Sequence, residues 1–461
     1  MKSWPWQTII EPFRIKTVEP LGFTSAAERE EVLKRANYNV FNIPAEKVLI
    51  DLLTDSGTSA MSAEQWAAIM RGDESYAGAK SFFVLEKKIR ELTGYREVIP
   101  VHQGRAAERI LFSFLGGEGH VVLANAHFDT TRANVEASGA VAVDLPVAGA
   151  WNFSQPEPFK GNVDVPALEK AIYEHGAQKI SMFIMTVTNN TIGGQPVSMR
   201  NLRDAGEVCR RHKIPVILDC ARFAENAYLI KRRERGYATR PVAEIAREMF
   251  SYADGCMMSA KKDAFVNIGG FLALNNPEWA RRAREILILG EGFTTYGGLA
   301  GRDLEAMARG LEEVLDEEYL QYRIRSVEYL GEGLRRHGIA IVEPPGGHAI
   351  YIDAKRFLPH IPPREYPAQA LVCELYRNAG IRAVEVGSLM FGRRNNEEFL
   401  PARMELVRLA IPRRVYTQSH IDFVIEILGE IARRKDSLSG LRLLEGAQRL
   451  AHFTARLEPV Y

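Results

Sequence analysis

Three segments of the 461-residue sequence carry side chains suited to one chemistry. The first is Val216-Ile217-Leu218-Asp219, an apolar run ending in a carboxylate and followed by Cys220-Ala221-Arg222. Open α/β sheets bind ligands beyond the carboxyl ends of their strands. Taken alone, Asp219 reads equally as a helix N-cap. The second segment, Met257-Met258-Ser259-Ala260-Lys261-Lys262-Asp263, ends another apolar run and is followed by a glycine-rich return, Ile268-Gly269-Gly270. Taken alone, its two lysines read as a solvated loop. The third precedes both: Pro100-Val101-His102-Gln103-Gly104-Arg105-Ala106-Ala107-Glu108 reads as a strand end, a glycine turn and a helix start. Free N–H groups at a helix N-terminus bind phosphate, and Arg105 adds a charged fork. In this order the three segments offer a lysine for a Schiff base, a carboxylate to keep a pyridine nitrogen protonated, and donors for a phosphate. That is the set pyridoxal 5'-phosphate requires, its protonated ring being the electron sink for loss of a Cα proton.

Such segments need a sheet to hold them. From residue 51 onward, short apolar runs alternate with amphipathic stretches. Ile180–Thr188, Pro215–Asp219, Gly255–Ser259 and Gly270–Leu274 read as strands, and Met199–Lys213 as a helix ending in a basic turn that suits its dipole. Strands apolar throughout imply an α/β sheet covered on both faces. Later residues are richer in helix (Arg302–Glu317, Leu320–His337, Pro367–Asn378, Ser419–Arg434), with strand-like pieces at Ala340–Glu343, Ala349–Ile352 and Val407–Ile411. The expected organisation is an N-terminal arm over residues 1–50 with a helical stretch at Ala26–Ala36, a large cofactor-binding domain over 51–310, and a smaller α+β domain over 311–461.

Composition narrows the partners. There are 59 basic and 58 acidic residues, a formal net charge of +1, so charge gives no reason to propose nucleic acid or an anionic membrane. The four cysteines are scattered without a C-x-x-C pair, which fits a reducing cytoplasm rather than a disulfide framework. No apolar run reaches membrane-spanning length, and the N-terminus, broken by Glu11, has no secretory signal pattern. A cytoplasmic location is expected.

The segments Ile50–Thr58 (IDLLTDSGT), Gly72–Gly78 (GDESYAG), His102–Glu108 (HQGRAAE), Gly193–Ser198 (GGQPVS), Asp219–Tyr228 (DCARFAENAY), Met258–Asp263 (MSAKKD), Tyr296–Met307 (YGGLAGRDLEAM) and Ile411–Thr417 (IPRRVYT) resemble the tryptophanase and tyrosine phenol-lyase family of β-eliminating lyases. The resemblance runs from Glu11 to Arg456, nearly the whole chain. It implies a fold-type I pyridoxal-phosphate enzyme, a monovalent cation such as K+, and a homotetramer whose active sites are shared between subunits. It also implies roles. Lys262 holds the cofactor and takes the Cα proton, with Lys261 tuning the site. Asp219 pairs with the pyridine nitrogen, Arg222 and Asn190 approach the phenolic oxygen, and Phe128 stacks on the ring. Gln103, Gly104, Arg105 and Ser259 hold the phosphate. Arg408, helped by Thr54 and Ser56, clamps the substrate carboxylate. Tyr76, reaching into a neighbouring subunit's site, is the general acid for the leaving group. Phe293 and Phe453 belong to the substrate pocket. Glu74, with the carbonyls of Gly57 and Asn267, is the cation site.

Within the family, three positions lean toward cleavage of L-tryptophan into indole, pyruvate and ammonia. Phenol-lyases carry an arginine where this chain has Val386. They carry threonine after the stacking Phe128, where it has Asp129. They read Phe-Phe-Thr-Ala where it has His452-Phe453-Thr454-Ala455. Asn267-Ile268 and Leu299–Asp303 resemble the phenol-lyases more. Two other readings stay open: a tyrosine phenol-lyase or a broader β-eliminating lyase acting on S-alkylcysteines and serine, and an inactive member serving as a regulator. Retention of Lys262, Asp219, Tyr76 and Arg408 argues against the last.

Overall fold

The computed structural model describes residues 9–395, 398–446 and 450–460. Residues 1–8, which open the expected arm and the stretch read for a signal, lie outside the described residues. Seven strands form the main sheet: β1 (Glu97–Val101), β2 (Val121–Ala124), β3 (Val141–Asp144), β4 (Ile180–Thr186), β5 (Val216–Asp219), β6 (Gly255–Ser259) and β7 (Gly270–Leu274), in the spatial order β1-β7-β6-β5-β4-β2-β3. The strands from β3 to β6 in that order are parallel neighbours, and only β7 runs the other way. Alternate residues feed two apolar layers. Leu123, Phe183, Leu218 and Met258 join one, whereas Val122, Ile184, Ile217 and Met257 join the other. Burial on both faces is why these strands lack a polar alternation.

Ten helices matter below: α1 (Ala26–Arg35), α2 (Gly104–Leu115), α3 (Asp129–Ala137), α4 (Met199–Arg211), α5 (Phe223–Arg233), α6 (Gly301–Glu313), α7 (Glu317–Arg336), α8 (Pro367–Ala379), α9 (Ser388–Phe391) and α10 (Gln418–Arg433). Ser25 starts α1 with a reciprocal capping box to Glu28. Asp316 caps α7 by accepting from the Tyr319 N–H, so the break between the two long helices falls at 314–316, earlier than the pattern suggested.

A second apolar core surrounds the antiparallel strands β8 (Ala349–Asp353), β9 (Val384–Val386) and β10 (Leu406–Ala410), ordered β9-β10-β8. The strand expected at Ala340–Glu343 is reduced to a single bridge, Ile341 to Ile352. Val32, Leu33 and Ile50 from the N-terminal segment belong to this second core, and Ile50-Asp51 pairs in parallel with Ile381-Arg382. The first core extends beyond residue 310 into α7: Leu320 and Ile324 belong to it, while Val327, Leu330 and Leu334 of the same helix pack into the second core. Among the described residues no helix is long and apolar enough to cross a membrane.

Candidate active site

The carboxyl ends of β1, β5 and β6 open on one cavity of about 310 Å³. At one end Gln103 precedes α2 and does not cap it with its side chain. A Cβ on Gly104 would lie 2.8 Å from Ser259 Cβ, and one on Gly270 would lie 2.6 Å from the Met258 carbonyl oxygen. Glycine at both places lets the start of α2 sit directly against the end of β6. Arg105 and Ser259 complete a cup of N–H, hydroxyl and guanidinium donors, a set that fits a phosphate. The Lys261 ammonium donates to Gln103 Oε1 at 3.3 Å.

In the middle lie Asp219, which ends β5, and Lys262, which follows β6. Burial, reinforced by the Arg222 guanidinium, brings the Lys262 amine down to about 7, against the pull of Asp55 and Asp219. A buried amine that is about half neutral at pH 7 is a far readier nucleophile for a carbonyl than an ordinary lysine. Burial raises the Asp219 acid, and the Lys262 ammonium works against that rise; a protonated ring nitrogen beside it would supply a second cation. Phe128 lines the wall as the residue before α3. These residues therefore fit pyridoxal phosphate: a cup for its phosphate, a carboxylate for its nitrogen and an amine for its aldehyde.

At the far end Arg408, on β10, donates to Asn190 Oδ1 at 3.0 Å and to the Leu53 carbonyl at 2.9 Å, while its buried Nε has no partner among the described residues. Thr54 and Ser56 stand beside it in the lining. Asn190 Oδ1 also accepts from Tyr351, which leaves the Asn190 amide hydrogens as its donors. Asp129 and His452 are both buried and meet at 3.2 Å between Oδ2 and Nε2. Phe453 packs edge-on to Phe41 at 4.8 Å.

Other singled-out residues lie elsewhere. Tyr76 is 71% exposed, stacked 5.7 Å from Phe293 and edge-on to Tyr296. Glu74 pairs with Arg302 at 2.7 Å. Gly57 and Asn267 do meet, the Asn267 amide donating to the Gly57 carbonyl at 3.0 Å. Val386 is buried in an apolar cluster behind the wall, and Val384, on the same face of β9, lines the cavity in its place along with Met390 from α9.

Beneath the cavity runs a buried charge cluster that motif reading did not single out. Arg413 donates to Asp55 at 2.9 Å and to Glu225 and Asp263 at 2.8 Å each, all four side chains being fully buried. Arg222 grips Asp55 through two bonds of 2.9 and 2.7 Å, and Arg323 reaches Glu225 at 2.9 Å. Burial opposes ionisation of Asp55, yet Arg222, His348 and Arg413 hold it well below its ordinary value. Asp263 instead rises to about 7: burial outweighs Arg413, whose charge is shared among three acids. Phe41 and Glu108 in the lining also went unread; Glu108 closes the HQGRAAE segment, its one available signal.

A family model for β-eliminating lyases matches residues 51–427. The chain belongs to the β-eliminating lyase family. A tryptophanase from Salinibacter ruber is 58% identical over 98% of this chain and 96% of its own length. A tyrosine phenol-lyase from Symbiobacterium thermophilum is 49% identical over 99% of both chains. The solved structure of Sphingomonas wittichii serine palmitoyltransferase covers 89% of this chain and 97% of its own, with a TM-score of 0.60 at 16% identity. The fold is that of the fold-type I pyridoxal-phosphate enzymes, and this β-eliminating lyase is an enzyme of the carbon–carbon lyase class.

Proposed function

We propose that the chain is a pyridoxal-phosphate-dependent tryptophan indole-lyase, releasing indole, pyruvate and ammonia from L-tryptophan. The observation that carries the reading is the buried Asp129–His452 pair at the aromatic end of the cavity, set among apolar Val384, Met390 and Phe453. An indole N–H needs an acceptor and an apolar surround, and this end offers both.

When bound, the cofactor supplies an electron sink for negative charge at the substrate Cα. Lys262 anchors it and moves the Cα proton, and Lys261 tunes that amine. Asp219 holds the proton on the ring nitrogen, Phe128 packs on the ring, and Arg222 and Asn190 face the phenolic oxygen. Gln103, Gly104, Arg105 and Ser259 bind the phosphate. Arg408, with Thr54 and Ser56, binds the substrate carboxylate. Tyr76 and Phe293 pack together on an exposed surface of the chain. Such a surface suits delivery into the site of a second copy, where Tyr76 protonates the departing ring carbon. The active assembly is a homotetramer that uses K+ held by Glu74 and the carbonyls of Gly57 and Asn267.

The test compares kcat/KM for tryptophan and tyrosine and identifies the organic product. A phenol hydroxyl buried without a donor costs on the order of 1–3 kcal/mol, roughly 5- to 150-fold in efficiency. Tryptophan should win by at least the lower figure, and a preference for tyrosine would sink the substrate assignment.

A further inference from the structure

The cavity holds a third carboxyl group besides Asp129 and Asp219. Glu108, on α2, is 7% exposed and lines the same space. Buried carboxylates are ordinarily matched by a cation. Among the described residues Glu108 bonds to none. Its Oε1 is 2.6 Å from Thr131 Oγ1, and its Oε2 accepts from Asn134 Nδ2 at 2.9 Å. The charged groups that shift it most are both negative: Asp219 from the end of β5, and Asp129 from the first turn of α3. Asp129 is engaged by His452, and Arg105 and Lys262 line the cavity without bonding to Glu108. Burial first, and then the two neighbouring carboxylates, bring the Glu108 acid up to about 7, although its bonds to Thr131 and Asn134 work the other way.

Thr131 and Asn134 lie three residues apart, on one face of α3. That helix begins at Asp129, and Phe128 precedes it without a side-chain cap. Glu108 therefore ties α2, whose start forms the phosphate cup, to α3, whose start carries Phe128 and Asp129. Glu108 accepts both bonds, from the Thr131 hydroxyl at Oε1 and from the Asn134 amide at Oε2; as a neutral acid it still accepts from Asn134 and can exchange donor and acceptor roles with the Thr131 hydroxyl. Without its proton, three carboxylates face one another across the same cavity.

We propose that Glu108 is a positioning residue: bonded to Thr131 and Asn134, it holds the helix of the phosphate cup in register with the helix bearing Phe128 and Asp129, and does so best as a neutral acid, beside two other carboxylates and bonded to no cation among the described residues. The proposal rests on the pyridoxal-phosphate reading of the site and assigns no role in bond breaking.

The experiment uses Glu108→Gln and Glu108→Ala holoenzymes, with visible circular dichroism of bound pyridoxal phosphate, the cofactor's dissociation constant from pH 6 to 8.5, and the KM and kcat for tryptophan. Glutamine copies the protonated acid and cannot ionise. Because the Lys262 titration is common to both proteins, the cofactor affinity of the unmodified protein relative to Glu108→Gln should fall on the order of tenfold across that range, as one ionisation predicts. Glu108→Ala should lose dichroic amplitude at every pH and raise KM more than it lowers kcat. A pH profile for Glu108→Gln that overlays the unmodified one overturns the proposal, as does unchanged dichroism in Glu108→Ala. Should the alanine variant not fold, the glutamine comparison decides alone. An unmodified protein that binds no pyridoxal phosphate brings down the cofactor reading and this proposal with it; binding with an unaltered Glu108→Gln profile brings down this one only.

Discussion

Arg413→Ala tests the buried charge cluster. The guanidinium makes three charge-assisted bonds of 2.8–2.9 Å, and every atom involved is shielded from water. Removing one partner of a buried ion pair costs about 3–5 kcal/mol, because the other charge stays buried. Arg222 still serves Asp55 and Arg323 still serves Glu225, but among the described residues Asp263 retains only the Ala224 N–H. The Asp263 acid, already raised to about 7, rises further. In the intact protein it keeps its proton up to about pH 7, whereas the unfolded chain releases it near pH 4. Between those values stability falls as pH rises, and above 7 the intact protein loses no more through this group. The variant goes on losing stability, at just over 1 kcal/mol per pH unit. The penalty of Arg413→Ala should therefore be larger by about 1 kcal/mol at pH 8 than at pH 6. Urea unfolding at both pH values measures it. Arg413→Met combined with Asp263→Asn should recover part of the loss, and Arg413→Lys little, since one ammonium cannot match a three-way fork. A penalty under about 1 kcal/mol at pH 8, or a larger one at pH 6, refutes the reasoning.

Gly104→Ala forces a Cβ to 2.8 Å from Ser259 Cβ, so it should weaken cofactor binding at least tenfold, read by equilibrium dialysis, with little change in unfolding midpoint. Because the Lys262 amine is brought down to about 7, capture of pyridoxal phosphate by the cofactor-free protein should accelerate from pH 6 to 8 and then level off; a rate still rising toward pH 10 contradicts that value. Tyr76→Phe should reduce elimination of tryptophan far more than of an S-alkylcysteine whose thiolate needs no proton. Mixing its inactive subunits with Lys262→Ala subunits should restore some activity if Tyr76 serves a neighbouring site. Replacing K+ by Na+ should lower turnover, and Glu74→Ala should remove that difference; indifference to both changes rules out the cation site.

Much of the cofactor end was legible because its residues sit at strand ends within contiguous motifs: Asp219 closes an apolar run, Lys262 follows another, and Gly104 opens a helix. Residues whose partners are distant in sequence were not legible. Arg413, in IPRRVYT, reads as a solvated charge until Asp55, Glu225 and Asp263 are brought to it from three other segments. Phe41 belongs to a stretch with no chemical motif and reaches the cavity through packing on His452 and Phe453. Val384 and Val386 share a face of β9, so the pattern alone could not say which of them meets the cavity.

The second core is assembled from both ends of the chain. Val32 and Ile50 must wait for Ile381, Val407 and Leu441 before this core can close over them. At ribosomal speeds of about 5–20 residues per second, that wait is roughly 20–80 s. During it the sheet, whose strands all lie between residues 97 and 274, can already be closing, while the leading apolar segment remains uncovered. Newly made chains should therefore depend on chaperones through their first fifty residues. Tethering a copy of residues 340–460 ahead of the N-terminus, so that this surface is covered early, should relieve that dependence.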